Sequence, residues 1–216
     1  MSLLSVGRLA KTFSGRPLLD VSGLVFEAGS LYVLSGDNGA GKTTLLRILA
    51  GLAPADEFHF RFDGGEFTGR EYPAWLRRKI IYVHQHPYLF NTGIKANIAY
   101  GLRVRDVDAA LREHAVLAAI EWAGVAHLSD VPPGQLSGGE KQRVALARAK
   151  VLEPRVLLVD EPAANLDSAA RAQVLELLRQ TTSDNNCVVV ACHDREMLDL
   201  PGVKRLHIDA GRVTAV

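Results

Sequence analysis

The chain has 216 residues, a formal net charge of +1 and 48% hydrophobic residues, which is core material for one large domain or two small ones and excludes a disordered chain. The near-zero charge excludes a general field that would draw in nucleic acid or an anionic membrane. The two cysteines, Cys187 and Cys192, share one apolar segment and read as reduced core residues, while the lack of an apolar leader or an apolar run of about 18 residues leaves a membrane role to a partner.

In chain order, residues 3–6, 21–27 and 31–35 read as short strands, broken by Gly15, Pro17 and Ala28-Gly29. A helix follows over residues 41–50, closed by Gly51 and Pro54. Residues 58–68 predict a hairpin, and residues 79–85 a strand ending at Gln85. From Pro87 to about Leu152 the texture turns helical. Residues 106–122 carry alanine, leucine and charge at helical spacing, and a helix opens at Ser137 and stops at Pro154. Strand texture returns at 156–160 and 187–191, with a helix at 168–179 between them and a small hairpin around Ala210-Gly211. The pattern is an α/β core interrupted by a helical insert at roughly residues 87–150.

Three stretches carry chemistry. Gly36-Asp37-Asn38-Gly39-Ala40-Gly41-Lys42-Thr43-Thr44 lies between a predicted strand and a predicted helix, and it fits the phosphate-binding pattern G-x-x-x-x-G-K-[ST]. Glycines let backbone N–H groups turn inward around an anion, and the helix dipole faces the same point. Lys42 is then expected to reach the β- and γ-phosphates of a nucleotide, and Thr43 to offer its hydroxyl to Mg²⁺. The apolar run 156–159 delivers Asp160 and Glu161 at a strand end, where α/β sheets place ligands. Asp160 is expected to hold Mg²⁺ through water, and Glu161 to act as general base. In the third, Leu136-Ser137-Gly138-Gly139-Glu140, a hydroxyl and two glycine amides open a helix. That is either a plain helix cap or a second anion site. As an anion site it makes sense closing on a nucleotide held by another copy. His84 and His86, two apart, have no third ligand in sight and do not make a metal site.

These motifs resemble, over essentially the full length, the nucleotide-binding subunit of an ABC transporter. They occur in order: the phosphate loop at 36–44, a Q-loop glutamine at Gln85, the signature at 136–140, the strand ending Asp160-Glu161, a D-loop at Ala164-Asn165-Leu166-Asp167 and a switch histidine at His193. Glu140 stands where many members carry Gln, and Asp37 where Pro or Ser is frequent.

The resemblance implies an α/β P-loop NTPase fold: a RecA-like core with an N-terminal antiparallel β-subdomain and an inserted α-helical subdomain. It forms one ATPase domain over 1–216, with 1–86 and 151–216 as core and 87–150 as the helical subdomain carrying the signature. Phe13 would stack on adenine. Gln85 would touch Mg²⁺ or the attacking water, His193 would contact the γ-phosphate and orient Glu161, and Asp167 would cross a dimer interface. The cofactors implied are ATP and Mg²⁺. The partners implied are a second copy, a membrane permease docking near Gln85 and residues 87–102, and indirectly a substrate-binding protein, with no nucleic acid. Tyr88, Leu89 and Phe90 are either the docking surface or the insert's own core.

The phrase from Gln85 to Gly101 is most similar to oxyanion importers of the tungstate/molybdate type. The chain stops soon after its last hairpin, which reads as a minimal subunit without an added regulatory domain. The expected place is the cytoplasmic face of the inner membrane, held peripherally. The alternatives are another ABC membrane machine, for export, haem or lipoprotein release, and a soluble non-transport ATPase.

Overall fold

The computed structural model describes residues 2–68 and 72–216. They group into two compact units. The first takes the chain up to Tyr82 together with Arg155–Glu161 and Thr182–Val216; the second takes Val83–Pro154 and Pro162–Thr181.

The first unit is built on two sheets. Strands β1 (Ser2–Phe13) and β2 (Arg16–Glu27) form a long antiparallel hairpin, with β4 (Glu57–Phe62) and β5 (Gly65–Thr68) completing the order β2-β1-β4-β5. The hairpin turns through Ser14 and Gly15, both at positive φ, the conformation that matches the right-handed twist of a two-residue connection. Sequence alternation placed a strand only over 3–6 because β1 shifts register against β4 between Val6 and Arg8, and a bulge moves later side chains to the other face. Pro17 lies inside β2, at the sheet edge, where a missing N–H costs no ladder bond.

The second sheet has the order β10-β9-β3-β8-β7-β6: β3 (Ser30–Ser35), β6 (Ile80–Val83), β7 (Val156–Asp160), β8 (Cys187–Ala191), β9 (Lys204–Asp209) and β10 (Arg212–Ala215). Neighbours from β9 through β3 and β8 to β7 run parallel, and β10 returns antiparallel. All five residues of β7 and of β8 are buried, as a sheet covered on both faces requires. Helix α1 (Lys42–Leu49) puts Leu45, Leu46, Ile48 and Leu49 into one core with Leu4, Leu9 and Phe60 of the first sheet and Leu158 and Val189 of the second. Gly51 follows the helix at φ +69, and a Cβ there would run 2.5 Å from the Tyr72 ring. Cys187 and Cys192 are free and buried, and burial pushes both thiols up to about 12.

The second unit is helical: α2 (Ile94–Val104), α3 (Ala109–Trp122), α4 (Gly138–Lys150) and α5 (Ser168–Thr181). Helix α6 (Arg195–Leu198), a single turn, belongs to the first unit. Helix α4 contacts α2, α3 and α5, and Val144, Ala145, Leu146 and Ala147 are all buried along it.

Candidate nucleotide-binding site

Strand β3 ends at Ser35 and the phosphate loop begins. Its three glycines answer to different constraints. Gly36 has φ +144, and a Cβ there would sit 2.4 Å from the backbone oxygen of Ile208. Gly41, at φ +106, would meet Leu19 Cδ2 at 2.7 Å. Gly39, at φ +85, faces open space, so its requirement is conformational alone. Asp37, Asn38 and Gly39 are exposed, Ala40 is half-buried, and Thr43 and Thr44 at the start of α1 are exposed and half-buried. Gly41 caps α1 without a side-chain bond, so amides at the helix start stay available to an anion.

Lys42 is 6% exposed. Its ammonium donates to the carbonyls of Gly36 at 2.7 Å and Asp37 at 3.1 Å, folding the side chain back over the loop. Burial pushes this ammonium below its usual range, against the pull of Glu161, Asp160 and Asp37. Lys42 Nζ also lies 2.9 Å from His193 Nε2 and 3.9 Å from Glu161 Oε1. His193 Nε2 is in turn 3.0 Å from Glu161 Oε1. One ring nitrogen cannot accept from Lys42 and donate to Glu161 at the same time, so the imidazole tautomer decides which contact is a hydrogen bond.

Glu161 follows β7 with φ 43, left-handed for a residue with a Cβ, and its N–H donates to the carbonyl of Ala191 at 2.8 Å. Such a conformation costs on the order of 1 kcal/mol and persists only where neighbours impose it. Burial raises the Glu161 carboxyl above its ordinary value, opposed by His193 and Lys42. Asp160, at the end of β7, is 3% exposed. Its Oδ2 accepts from the Tyr82 hydroxyl at 2.8 Å, while its Oδ1 is buried without a hydrogen-bond partner.

The first unit thus gathers Lys42, Asp160, Glu161 and His193 at the C-terminal ends of β3, β7 and β8. These residues fit a nucleotide phosphate with a divalent cation. The start of α1 carries no side-chain cap beside the buried Lys42 ammonium, and an unpartnered buried carboxylate oxygen is a hard donor for Mg²⁺. Phe13, at the tip of the β1–β2 hairpin, is 69% exposed.

The remaining predicted site residues belong to the second unit. Gln85 is exposed just past β6, which ends at Val83, two residues short of the expected strand end. His84 and His86 are exposed beside it, and no group of three metal-ligating side chains exists among the described residues. Ser137 caps α4 in a capping box. Its N–H and hydroxyl donate to Glu140 Oε2 at 2.7 and 2.8 Å, and the Glu140 N–H returns to Ser137 Oγ at 3.3 Å. Those two bonds hold the Glu140 carboxyl below its ordinary value. Gly138 is exposed and Gly139 buried, and a Cβ on Gly139 would lie 2.7 Å from Ala170 Cβ of α5. Asp167 is exposed, and its Oδ1 accepts from the Ala170 N–H at 2.8 Å.

Sequence reasoning singled out neither of two residues here, Tyr82 and Asn97. Asn97 is fully buried and holds Phe90, Thr92 and Gly93 by their backbones. Of the aromatic-rich stretch beside it, Leu89 is buried and Phe90 half-buried, and Tyr88 remains 72% exposed. Only a buried-polar count would have flagged Asn97, and the sequence carries no such signal.

Residues 19–164 match the ABC transporter family. The sulfate/thiosulfate import ATP-binding protein CysA of Salmonella typhi is 39% identical over 203 residues, covering 89% of this chain and 54% of that protein. The protein of the same name from Cucumis sativus is 37% identical over 225 residues, covering 99% of this chain and 62% of that one. The chain therefore spans between half and two thirds of the length of these relatives. The structure of cbiO1 from Clostridium perfringens, described as part of the ABC transporter complex cbiONQ, superimposes with a TM-score of 0.84 at 28% identity, over 99% of this chain and 87% of that one. With the P-loop NTPase fold and the phosphate loop in place, the chain belongs to the ABC transporter family as an ATP-binding domain.

Proposed function

We propose that this chain is a single ATPase domain over 1–216, with 87–150 as its helical subdomain, that pairs with a second copy around two ATP–Mg²⁺ and drives a membrane permease. The observation that carries this reading is the cluster at Lys42. A buried ammonium, a carboxylate raised by burial and an imidazole lie within 4 Å of one another beside the uncapped start of α1. That is the equipment for holding a phosphate and activating water against it.

In this reading the amides of residues 36–44 and the Lys42 ammonium hold the β- and γ-phosphates, leaving the loop carbonyls that Lys42 now faces. Thr43, Asp160 and Gln85 hold Mg²⁺, which when bound neutralises charge developing on the phosphates. Glu161 accepts the proton of the attacking water, and its raised carboxyl is the better base for it. His193 orients Glu161, and Phe13 stacks on adenine. Ser137, Gly138, Gly139 and Asp167 of the second copy complete the site, so that closure of the pair precedes hydrolysis.

No helix among the described residues is long and apolar enough to cross a membrane, which suits peripheral attachment at the cytoplasmic face through a permease contacting Gln85 and residues 87–102. A substrate-binding protein would deliver the cargo. The relatives' names point to sulfate and thiosulfate, and the motif phrase from Gln85 to Gly101 to tungstate or molybdate. All are tetrahedral oxyanions, and the cargo class we propose is that one, taken up rather than exported.

Three variants test the reading. Lys42→Ala should abolish binding of a fluorescent ATP analogue. Glu161→Gln should keep binding, lose steady-state hydrolysis and accumulate an ATP-dependent dimer by light scattering. Ser137→Arg should spare binding and block that dimer. Undiminished turnover in Glu161→Gln removes the base assignment. Co-purification from native membranes identifies the permease, and a partner without an oxyanion-binding companion refutes the cargo class.

A further inference from the structure

We propose that Tyr82 is a positioning residue for Asp160: its hydroxyl holds one carboxylate oxygen so that only the other is offered to the cation of a bound nucleotide. The inference rests on the proposed reading of Asp160 as a cation-holding residue.

Asp160 ends β7, and Tyr82 lies on β6, the neighbouring strand of the same sheet. The Tyr82 ring is partly buried against the first unit's core, with Leu158 among that core's members. Packing on one side fixes the ring, and the ring delivers its hydroxyl to Asp160 Oδ2 at 2.8 Å. The terminal torsion of an aspartate is otherwise broad and nearly two-fold, so an unheld carboxylate turns freely between faces. With Oδ2 engaged, the plane is set, and Oδ1 is the oxygen left buried without a partner. Phenylalanine at this position would fill the same space and leave both oxygens equivalent.

The arrangement suits one metal better than another. Mg²⁺ demands near-ideal octahedral geometry and keeps several waters, so a single fixed oxygen serves it, directly or through water. A freely turning carboxylate presents both oxygens, as the larger and more flexible Ca²⁺ shell accepts. Tyr82 therefore acts on the cation requirement through Asp160. Phosphate binding by the loop and by Lys42 does not depend on it.

The test uses the full chain carrying Tyr82→Phe. Binding of a fluorescent ATP analogue in EDTA should match wild type, while the urea midpoint should fall by no more than the loss of one hydrogen bond to Asp160. The Mg²⁺ concentration giving half-maximal nucleotide binding, and that for hydrolysis, should each rise by roughly two- to tenfold, the worth of one hydrogen bond. With Mn²⁺ in place of Mg²⁺, the electron paramagnetic resonance spectrum of the bound ion should broaden. In an Asp160→Asn background the same substitution should add nothing further to the Mg²⁺ midpoint. A drop in urea midpoint is resolved by that same cycle: a purely packing role gives equal losses in both backgrounds, whereas positioning gives a loss only where the carboxylate is present. An unchanged Mg²⁺ midpoint against a responsive wild type overturns the assignment of Tyr82 alone. A wild-type chain that binds no nucleotide with or without Mg²⁺ overturns the proposed function, and this inference with it.

Discussion

Replacing Asn97 should loosen the segment that precedes α2 more than any exposed residue of that segment could. Its Oδ1 accepts from the Phe90 N–H at 2.8 Å, an arrangement that fixes which way the amide faces. Its Nδ2 lies 3.0 to 3.3 Å from the carbonyls of Phe90, Thr92 and Gly93 and from Thr92 Oγ1. An amide nitrogen has two hydrogens, so the side chain makes about three full bonds: one accepted and two donated. At about 1 kcal/mol net each, Asn97→Ala should cost about 3 kcal/mol. Thr92 and Gly93 are exposed, so water can reach the abandoned carbonyls and no larger desolvation penalty is added. In a chain of this size that cost corresponds to a melting temperature lower by about 6–12 °C.

Asn97→Asp is the sharper variant, because it keeps the acceptor and removes both donors. The new carboxylate would face a ring of carbonyl oxygens in a buried place, which raises its pKa above the unfolded value of about 4. A raised carboxyl binds more protons in the folded state, so stability falls as pH rises from about 4 through the raised value. Urea unfolding followed by both fluorescence and circular dichroism, at pH 5 and pH 7.5, measures each variant. Asn97→Ala within about 0.5 kcal/mol of wild type would refute the bond count, since that is the ordinary range for surface changes. Asn97→Asp losing no ground between the two pH values would refute the placement among carbonyls.

Gly36→Ala should give a poorly folded chain without nucleotide binding, because its Cβ would meet backbone at 2.4 Å and cannot be relieved by a rotamer change; a folded, binding variant by circular dichroism and titration would contradict the loop geometry. The Glu140 carboxyl, held by the Ser137 N–H and hydroxyl, should titrate below the ordinary range of a free glutamate in a carbon-detected NMR experiment. Its contribution to the start of α4 is present above the unfolded value and lost as pH falls through the depressed one, and Glu140→Gln should remove that acid dependence. Tyr88→Ala should leave the melting temperature of the isolated chain unchanged, since the ring is 72% exposed, while lowering recovery of the permease in co-purification. A large loss of stability would mean that its edge contact with Phe90, at 5.7 Å, is structural.

The parts legible in the sequence were those whose signal is local. The strand–glycine loop–helix at 31–50 and the apolar strands 156–160 and 187–191 announce themselves through residue type and spacing, and the structure places them within a residue or so. Helix α2 was read only as part of a helical texture, since its N-cap residue, Gly93, offers no side-chain cap and it follows an aromatic-rich run that looks like loop. The strand β1 was undercalled because its bulge breaks the alternation on which the reading depends. At the site, residue types pointed to Lys42, Asp160 and Glu161, but nothing local says that Glu161 takes a left-handed backbone or that Tyr82 reaches Asp160. Both depend on which strands become neighbours in the sheet, and strand order is a property of the tertiary fold.

The glycines of the signature had been read for the freedom of their amides, and within the second unit they have a second reason to be there. Gly139 admits α5 so closely that a Cβ would overlap the Ala170 methyl, whereas a Cβ on Gly138 would only reach ordinary contact with Leu166, at 3.4 Å. Asp167 takes the N–H of that same Ala170. Two motifs separated by nearly thirty positions in the chain are therefore held to one alanine, Gly139 by contact and Asp167 by a hydrogen bond. A shift at the start of α4 must be carried into residues 166–170, because close-packed contacts without spare volume transmit displacement rather than absorb it. Ser137, meanwhile, spends its hydroxyl and its amide on Glu140. In the proposed reading, those two donors reach a phosphate only if the Glu140 carboxylate gives them up, and repulsion between carboxylate and phosphate opposes binding while it stays in place. The start of α4 is thus a cap closed on itself through Glu140, and under the proposed function a phosphate from the second copy would have to open it.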